Sequence, residues 1–223
     1  VGLNVINDMI GYEHILTARA FYAFPVQIGV LSNLTFGLGA GVVSRTLDGT
    51  SLNYEEEDPN AFLGKEKWIK PDFNFGVEYV DPNITVGFAS THLYRSVGKA
   101  GIDYAPRHYY LYGKYLFEDV FDKVNIEPYL LFKSSWYITQ FDIAVLGYYD
   151  NMLWGGFSYR LGDAVVAMLG YYITPEIRVG YAYDFAVGAV KGYTGGSHEI
   201  MISAQFEGFN KTRVTPKTPR IFN

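Results

Sequence analysis

The sequence contains no cysteine and no long uninterrupted run of apolar residues. The absence of cysteine rules out disulfides, thiolate nucleophiles and cysteine metal sites. A transmembrane helix needs about 18 or more consecutive apolar residues. Every apolar run in this chain is interrupted by Gly, Asp, Lys or Arg well before that length. These absences exclude a disulfide-stabilised scaffold and a helical membrane protein.

Charge is also scarce, and positive charge especially so. Charged residues make up 18% of the chain and the net charge is −5. Nucleic-acid binders concentrate Lys and Arg on one face beside aromatic groups, and no stretch here does so. We therefore predict no nucleic-acid partner. The one local excess of positive charge is in residues 209–223, at Lys211, Arg213, Lys217 and Arg220.

What the chain has in abundance is aromatic and apolar surface. Aromatic residues account for 17% and hydrophobic residues for 49% of the sequence, including Tyr 20 and Phe 16. A disordered chain is poor in such residues. The composition does not change along the chain in a way that would mark a domain boundary. We therefore expect one domain that buries or membrane-embeds a large surface.

Apolar residues alternate with polar or small ones along most of the chain, as expected of strands. Near the C-terminus, Ile177, Val179 and Tyr181 fall on one face, and Arg178 and Gly180 fall on the other. One such face suits lipid and the other a wet or ion-paired interior. This pattern is typical of membrane-spanning strands.

Residues with turn-forming chemistry separate the alternating segments. In Asp81-Pro82-Asn83, proline fixes its φ and the Asx side chains can close the backbone locally, so this segment predicts a tight hairpin. Continuing in this way gives about twelve strands of about ten residues, the length that a tilted strand needs to cross a bilayer. Their predicted starts are near residues 1, 15, 33, 71, 83, 107, 124, 139, 151, 164, 177 and 197.

The longer connections fall mainly after odd-numbered strands, notably 48–70, 95–106 and 187–196. Long loops on one side and short turns on the other are typical of outer-membrane barrels. We therefore predict an all-β fold, an antiparallel transmembrane β-barrel in the bacterial outer membrane, in contact with the lipid bilayer and lipopolysaccharide.

The predicted inward faces carry charges of both signs. They are Arg19, Asp72, Glu78, Lys114, Glu127, Lys133, Asp142, Arg178 and Asp184. Mixed charges can brace a barrel interior through cross-strand pairs, or they can line a polar channel. We favour bracing, because a barrel with so few strands has a lumen that side chains and loops can nearly fill.

Several segments resemble the PorP/SprF family of the type IX secretion system. They are Gly155-Gly-Phe-Ser-Tyr-Arg160, residues 163–170, Gly180-Tyr-Ala-Tyr-Asp184 and the opening of the last strand. That opening, with Gly195, Gly196, Ser197, His198 and Glu199, is the most specific part. The first eight residues also look like the family's early strand, in which a Gly-rich segment ends in an Asn-Asp turn.

The resemblance implies a non-enzymatic outer-membrane accessory of Bacteroidota, associated with gliding motility and with export or anchoring of large secreted surface adhesins. Its expected partners are other type IX components and such an adhesin. Family members carry a signal peptide and further N-terminal residues, so we expect a missing leading segment and fourteen strands in the complete protein. The expected division is a barrel over residues 1–208 and an extended, basic periplasmic tail over 209–223 that docks to other components.

No catalytic, cofactor or metal site is predicted. His14, His92, His108 and His198 have no metal-ligand spacing. Ser197, His198 and Glu199 are adjacent in a strand, which sends neighbouring side chains to opposite faces and prevents a relay.

Two alternatives stay open from the residues alone. The acidic run at residues 55–58 offers hard oxygen ligands for calcium, although an ordinary solvated loop is the preferred interpretation. The strand pattern by itself also suits a porin or transporter for small or hydrophobic solutes.

Overall fold

The computed structural model describes residues 1–50, 64–94, 106–187 and 195–205. All regular secondary structure in these ranges is β. No helix among them is long and apolar enough to span a membrane.

The described residues form thirteen strands. Their bounds are β1 (Gly2–Ile10), β2 (Glu13–Gln27), β3 (Asn33–Asp48), β4 (Lys65–Val80), β5 (Ile84–Thr91), β6 (His108–Tyr115), β7 (Phe117–Phe121), β8 (Val124–Ser134), β9 (Thr139–Tyr149), β10 (Leu153–Arg160), β11 (Ala164–Tyr172), β12 (Ile177–Ala186) and β13 (Ser197–Ala204).

All of these strands belong to one sheet, in which neighbours in sequence are neighbours in space. The path runs from β1 to β13, and β7 lies off the path because it pairs only with β8. The pairs with a described register are antiparallel, for example β11 with β12. This is the strand order of an up-and-down β-barrel. The predicted all-β antiparallel fold is confirmed, and the twelve strands on the path match the predicted number.

Three details of the strand prediction are wrong. The predicted Asn-Asp turn does not form, because β1 continues through Asn7 and Asp8 and the turn comes at Gly11, which has a φ of 56°. The fourth strand begins at Lys65, before the predicted start at residue 71. The sixth strand is divided at Leu116 into β6 and β7, and the pairing of β7 with β8 shifts register between Phe117 and Phe121.

The chain divides into two compact units. The first comprises residues 1–24, 36–76 and 89–108. The second comprises residues 25–35, 77–88 and the described residues from 109 onward.

The distribution of polarity among the described residues is the inverse of that in a soluble protein. The buried polar or charged residues are Thr17, Asn33, Asp72, Asn74, Ser90, Ser135 and Asp142, whereas only Leu116, Ala144, Ala164 and Tyr172 are buried apolar residues. Large apolar side chains such as Phe157, Leu169 and Ile200 are exposed instead. Soluble proteins rarely expose so much contiguous apolar surface. The exposed faces therefore suit contact with lipid.

Candidate functional site

A buried ion-pair cluster lies in the first unit, built on β2 and β4. Asp72 on β4 is only 2% exposed. Arg19 on β2 donates from Nε to Asp72 Oδ2 at 2.5 Å. Asn74, also on β4, donates from Nδ2 to the same oxygen at 3.3 Å. Because alternate residues of a strand share a face, Asp72 and Asn74 point to the same side of the sheet.

His92, just beyond the end of β5, completes this cluster. Its φ of 55° lies in the left-handed region, which histidine tolerates better than most residues. Its Nδ1 lies 2.9 Å from Asp72 Oδ1, and its Nε2 lies 3.4 Å from Arg19 Nη2. A neutral ring protonated at Nδ1 satisfies both contacts, because Nδ1 then donates to the carboxylate and Nε2 accepts from the guanidinium.

The pKa of His92 is shifted below its usual value, mainly because burial disfavours the charged imidazolium. Asp72 opposes this shift, whereas Arg19 and the nearby His108 reinforce it. The rings of His92 and His108 are 5.8 Å apart.

We predict that acidification destabilises the cluster. The pKa of His92 is lower in the folded chain than in the unfolded one. The contribution of the neutral His92 to folding stability is therefore fully present above the unfolded pKa of about 6.5. That contribution is lost as the pH falls through the lower folded value. The melting temperature in detergent should therefore fall between pH 8 and pH 5, and by less in His92→Gln. An equal fall in both proteins would contradict the prediction.

A second cluster in the first unit lies at the adjoining ends of β2 and β3. Arg45 on β3 donates from Nη2 to Glu13 Oε2 at 2.8 Å. The guanidinium carbon of Arg45 also lies 5.9 Å from the centre of the Trp68 ring, within the range of a cation–π contact. Cross-strand charge pairing thus recurs within this unit.

The second unit contains a separate set of polar contacts on β4, β6, β8 and β9. Lys114 Nζ on β6 donates to Glu127 Oε2 on β8 at 3.1 Å. Tyr148 on β9 donates its hydroxyl to Glu127 Oε1 at 3.3 Å. Tyr112, which shares a face of β6 with Lys114, donates its hydroxyl to Glu78 Oε2 on β4.

The same unit holds a chain of ion pairs across β8, β9, β10 and β12. Asp142 lies 3.0 Å from Lys133 Nζ and 3.6 Å from Arg160 Nε. Arg160 Nη1 also lies 3.3 Å from Asp184 Oδ2 and 3.4 Å from Asp163 Oδ2. The strand register explains the centre of the chain, because Arg160 is directly opposite Asp142.

The second unit contains an open cavity of about 500 Å³ lined by several of these groups. Its polar lining includes Glu78, Thr85, Tyr112, Lys114, Glu127, Tyr129, Asp142 and Ser158. Its apolar lining consists of Ala144, Leu146 and Met168. The cavity is thus amphipathic, with a charged part and an apolar part.

The structure brings most of the nine predicted inward-facing charges together. Arg19 pairs with Asp72, Lys114 with Glu127, Lys133 with Asp142, and Asp184 with Arg160. Glu78 accepts a hydrogen bond from Tyr112. Arg178 is exposed and pairs with no carboxylate in the described part of the chain.

The Gly195–Glu199 motif opens β13, and its side chains meet tyrosines of β12. Gly196 has a φ of 88°, a conformation that glycine adopts without strain. His198 Nδ1 lies 2.6 Å from the hydroxyl of Tyr181, and the ring of Tyr183 packs against the His198 ring at 4.6 Å. Tyr183 donates its hydroxyl to the carbonyl of Gly195 at 2.5 Å. Two tyrosines of β12 thus contact the His198 ring.

Some predicted features lie outside the described residues. These are the acidic run at 55–58 and the basic residues Lys211, Arg213, Lys217 and Arg220. No group of three or more potential metal ligands occurs within the described ranges.

The predicted inward-facing charges did not include His92, Tyr112, Tyr148 or Arg160, which join these networks. Arg160 ends a strand whose alternation places it on the polar face, and that position was a usable signal. His92 gave no such signal, because its side chain reaches Asp72 only through a backbone bend after the strand.

One antiparallel sheet with exposed apolar faces and buried charge pairs defines a membrane protein of the β-barrel class. The family described as type IX secretion system membrane protein PorP/SprF matches residues 1–204. The chain therefore belongs to the PorP/SprF family and is a membrane component of type IX secretion. No curated protein matches it.

Proposed function

We propose that this chain is a non-enzymatic outer-membrane accessory that binds, anchors or assists the export of a secreted surface adhesin and docks to periplasmic secretion machinery. The observation that carries the proposal is that charged side chains pair between strands within each unit, with the buried Asp72 and Asp142 among them. Ion pairs between strands stabilise the sheet, and they leave few unpaired charges to attract a diffusing solute. This arrangement supports a scaffold rather than an open channel.

The pattern of connections supports a distinct role for each end of the strands. The three longest connections follow β3, β5 and β12, which occupy odd positions on the strand path. Successive antiparallel strands alternate in direction, so these connections leave the sheet at the same end. In outer-membrane proteins the long loops face outward. We propose that this end meets the adhesin and that the chain beyond β13 enters the periplasm.

The basic tail is the proposed docking element. Residues 209–223 carry Lys211, Arg213, Lys217 and Arg220 and no acidic residue. Such a segment is attracted to acidic protein surfaces, and the attraction weakens as salt is added.

We predict that neutralising the tail reduces complex recovery. A tagged chain should co-purify from native membranes with type IX components and a large adhesin. Changing the four basic residues to Gln should lower recovery of the periplasmic components several-fold without loss of the barrel. The charge-retaining variant with Arg213→Lys and Arg220→Lys is the matched control. Undiminished recovery in the Gln variant would refute docking by the tail.

Conductance separates this proposal from a porin. Planar bilayers that contain the purified chain should show little steady current, because the charged side chains are held in pairs across strands within each unit. Stable open-channel conductance from a chain that purifies without partners would favour the porin alternative.

A further inference from the structure

The cavity in the second unit combines features that the bracing network does not need. Bracing requires each charge to have an opposite partner, and Glu127 and Asp142 have theirs in Lys114 and Lys133. Glu78 differs, because within the described ranges its partner is the hydroxyl of Tyr112 and no cation pairs with it. A carboxylate that faces a cavity without a cation retains the capacity to bind one.

The walls beside Glu78 suit the same kind of ligand. The rings of Tyr112 and Tyr129 are stacked, with centroids 6.3 Å apart and an interplanar angle of 29°. Both residues line the cavity, and tyrosine rings attract cations through their faces. The cavity lining holds three carboxylates, Glu78, Glu127 and Asp142, against one ammonium group, that of Lys114.

The rest of the cavity is apolar and therefore unsuited to a bare metal ion. Ala144, Leu146 and Met168 line this part, and Met168 has the flexible side chain that adapts to a ligand of variable shape. Lysine and arginine side chains place an aliphatic stem on apolar surface while the charged head remains among polar groups. The volume of about 500 Å³ is in the range of known ligand sites.

We propose that this cavity binds an alkyl cation, namely the side chain of a lysine or arginine on an extended polypeptide. The charged head lies against Glu78 and the two tyrosine rings, and the stem lies along Leu146 and Met168. Two sources share this chemistry. One is the chain's own basic segment 209–223, and the other is a second polypeptide.

The reach of the chain permits the first source. From Ala204, the last residue of β13, to Asn223 an extended chain covers about 60 Å at roughly 3.3 Å per residue. The cavity is lined by strands up to β11, only two positions from β13 on the strand path. The same tail can therefore meet this cavity or an external partner.

The test uses a single reporter thiol. Ser158 lines the cavity. Because the chain has no cysteine, the substitution Ser158→Cys gives the full chain a single thiol at this position. The rate at which a neutral thiosulfonate modifies this cysteine is measured with increasing pentylammonium. We expect protection by pentylammonium and none by pentanol at equal concentration. The same comparison is made in a chain that ends at residue 205. The proposal is overturned if, in both chains, pentylammonium and pentanol protect the cysteine equally or if neither compound protects it.

Glu78→Gln is the matched variant, because it removes the charge and keeps an acceptor for Tyr112. It should weaken protection by pentylammonium at least about fivefold, the order expected for one charge in a partly wet site. Asp150→Asn is the control, since Asp150 lies in the turn after β9 and outside the cavity lining. Unchanged protection in a folded Glu78→Gln chain also overturns the proposal.

Truncation after residue 205 identifies the source. If the tail occupies the cavity, pentylammonium should protect the truncated chain at lower concentration, and a peptide of residues 209–223 should restore the block. If a second polypeptide is the ligand, truncation should leave the protection curve unchanged. This readout is independent of whether the tail docks to periplasmic machinery.

Discussion

Replacing Asp72 with alanine is expected to lower the free energy of unfolding by about 3–5 kcal/mol. Asp72 is 2% exposed, and it receives hydrogen bonds from Arg19 and Asn74. The variant leaves the Arg19 guanidinium, itself only 12% exposed, without its carboxylate. A buried unpaired charge costs far more than the pair contributes. Urea unfolding in detergent micelles measures the change.

Asp163→Ala is the matched control for this experiment. The Asp163 side chain is 54% exposed, and it lies 3.4 Å from Arg160. Exposed pairs contribute about 0–1 kcal/mol, so its loss should change stability little. Similar destabilisation by Asp72→Ala and Asp163→Ala would show that the buried cluster does not have the energetic role assigned to it.

Replacing Gly156 with alanine is the second change with a large expected effect. A Cβ atom at Gly156 would lie 2.1 Å from the carbonyl oxygen of Val145 and 3.0 Å from the Cα of Leu146. Both atoms belong to the backbone of β9, which pairs with β10 at this point. The two strands must therefore separate locally. Overpacking costs about 1–3 kcal/mol, and we expect the upper end because backbone has to move.

Gly147→Ala provides the comparison for Gly156→Ala. A Cβ atom at Gly147 meets only the carbonyl oxygen of Gly155, at 3.9 Å, which is an ordinary contact. Both variants add one methyl group to the same strand pair, so their difference isolates the close approach. The urea concentration at the midpoint of unfolding should be clearly higher for Gly147→Ala than for Gly156→Ala. Coincident midpoints would mean that β9 and β10 accommodate the methyl group at either site.

The alternation of residues carried most of the fold prediction. Because side chains of a strand alternate between its two faces, segments such as 177–185 identify both the strand and its apolar face. Turn chemistry then placed the hairpins, and the hairpin at Asp81-Pro82-Asn83 lies between β4 and β5 as predicted. The break at Leu116 and the register shift between Phe117 and Phe121 were not predicted, because both depend on how the strands pair and leave no mark on the alternation.

The chain's family was also accessible from sequence, because short motifs such as Gly195–Glu199 distinguish PorP/SprF proteins from other strand-rich chains. The predicted inward charges were chosen by strand parity, which assigns a face but no partner. The alternation therefore predicted that Asp142 and Lys133 face inward. It did not indicate that Arg160 would lie opposite Asp142 and join it to Asp184.

By itself the sequence determined the all-β class, the approximate strand number, the apolar faces and the PorP/SprF family, because period-two alternation, turn residues and motifs are local properties. Only the tertiary structure decided which charges pair, how His92 reaches Asp72, and where a cavity is left beside Glu78. These features depend on the register between strands that are distant in sequence, and a shift of one residue would send each side chain to the opposite face.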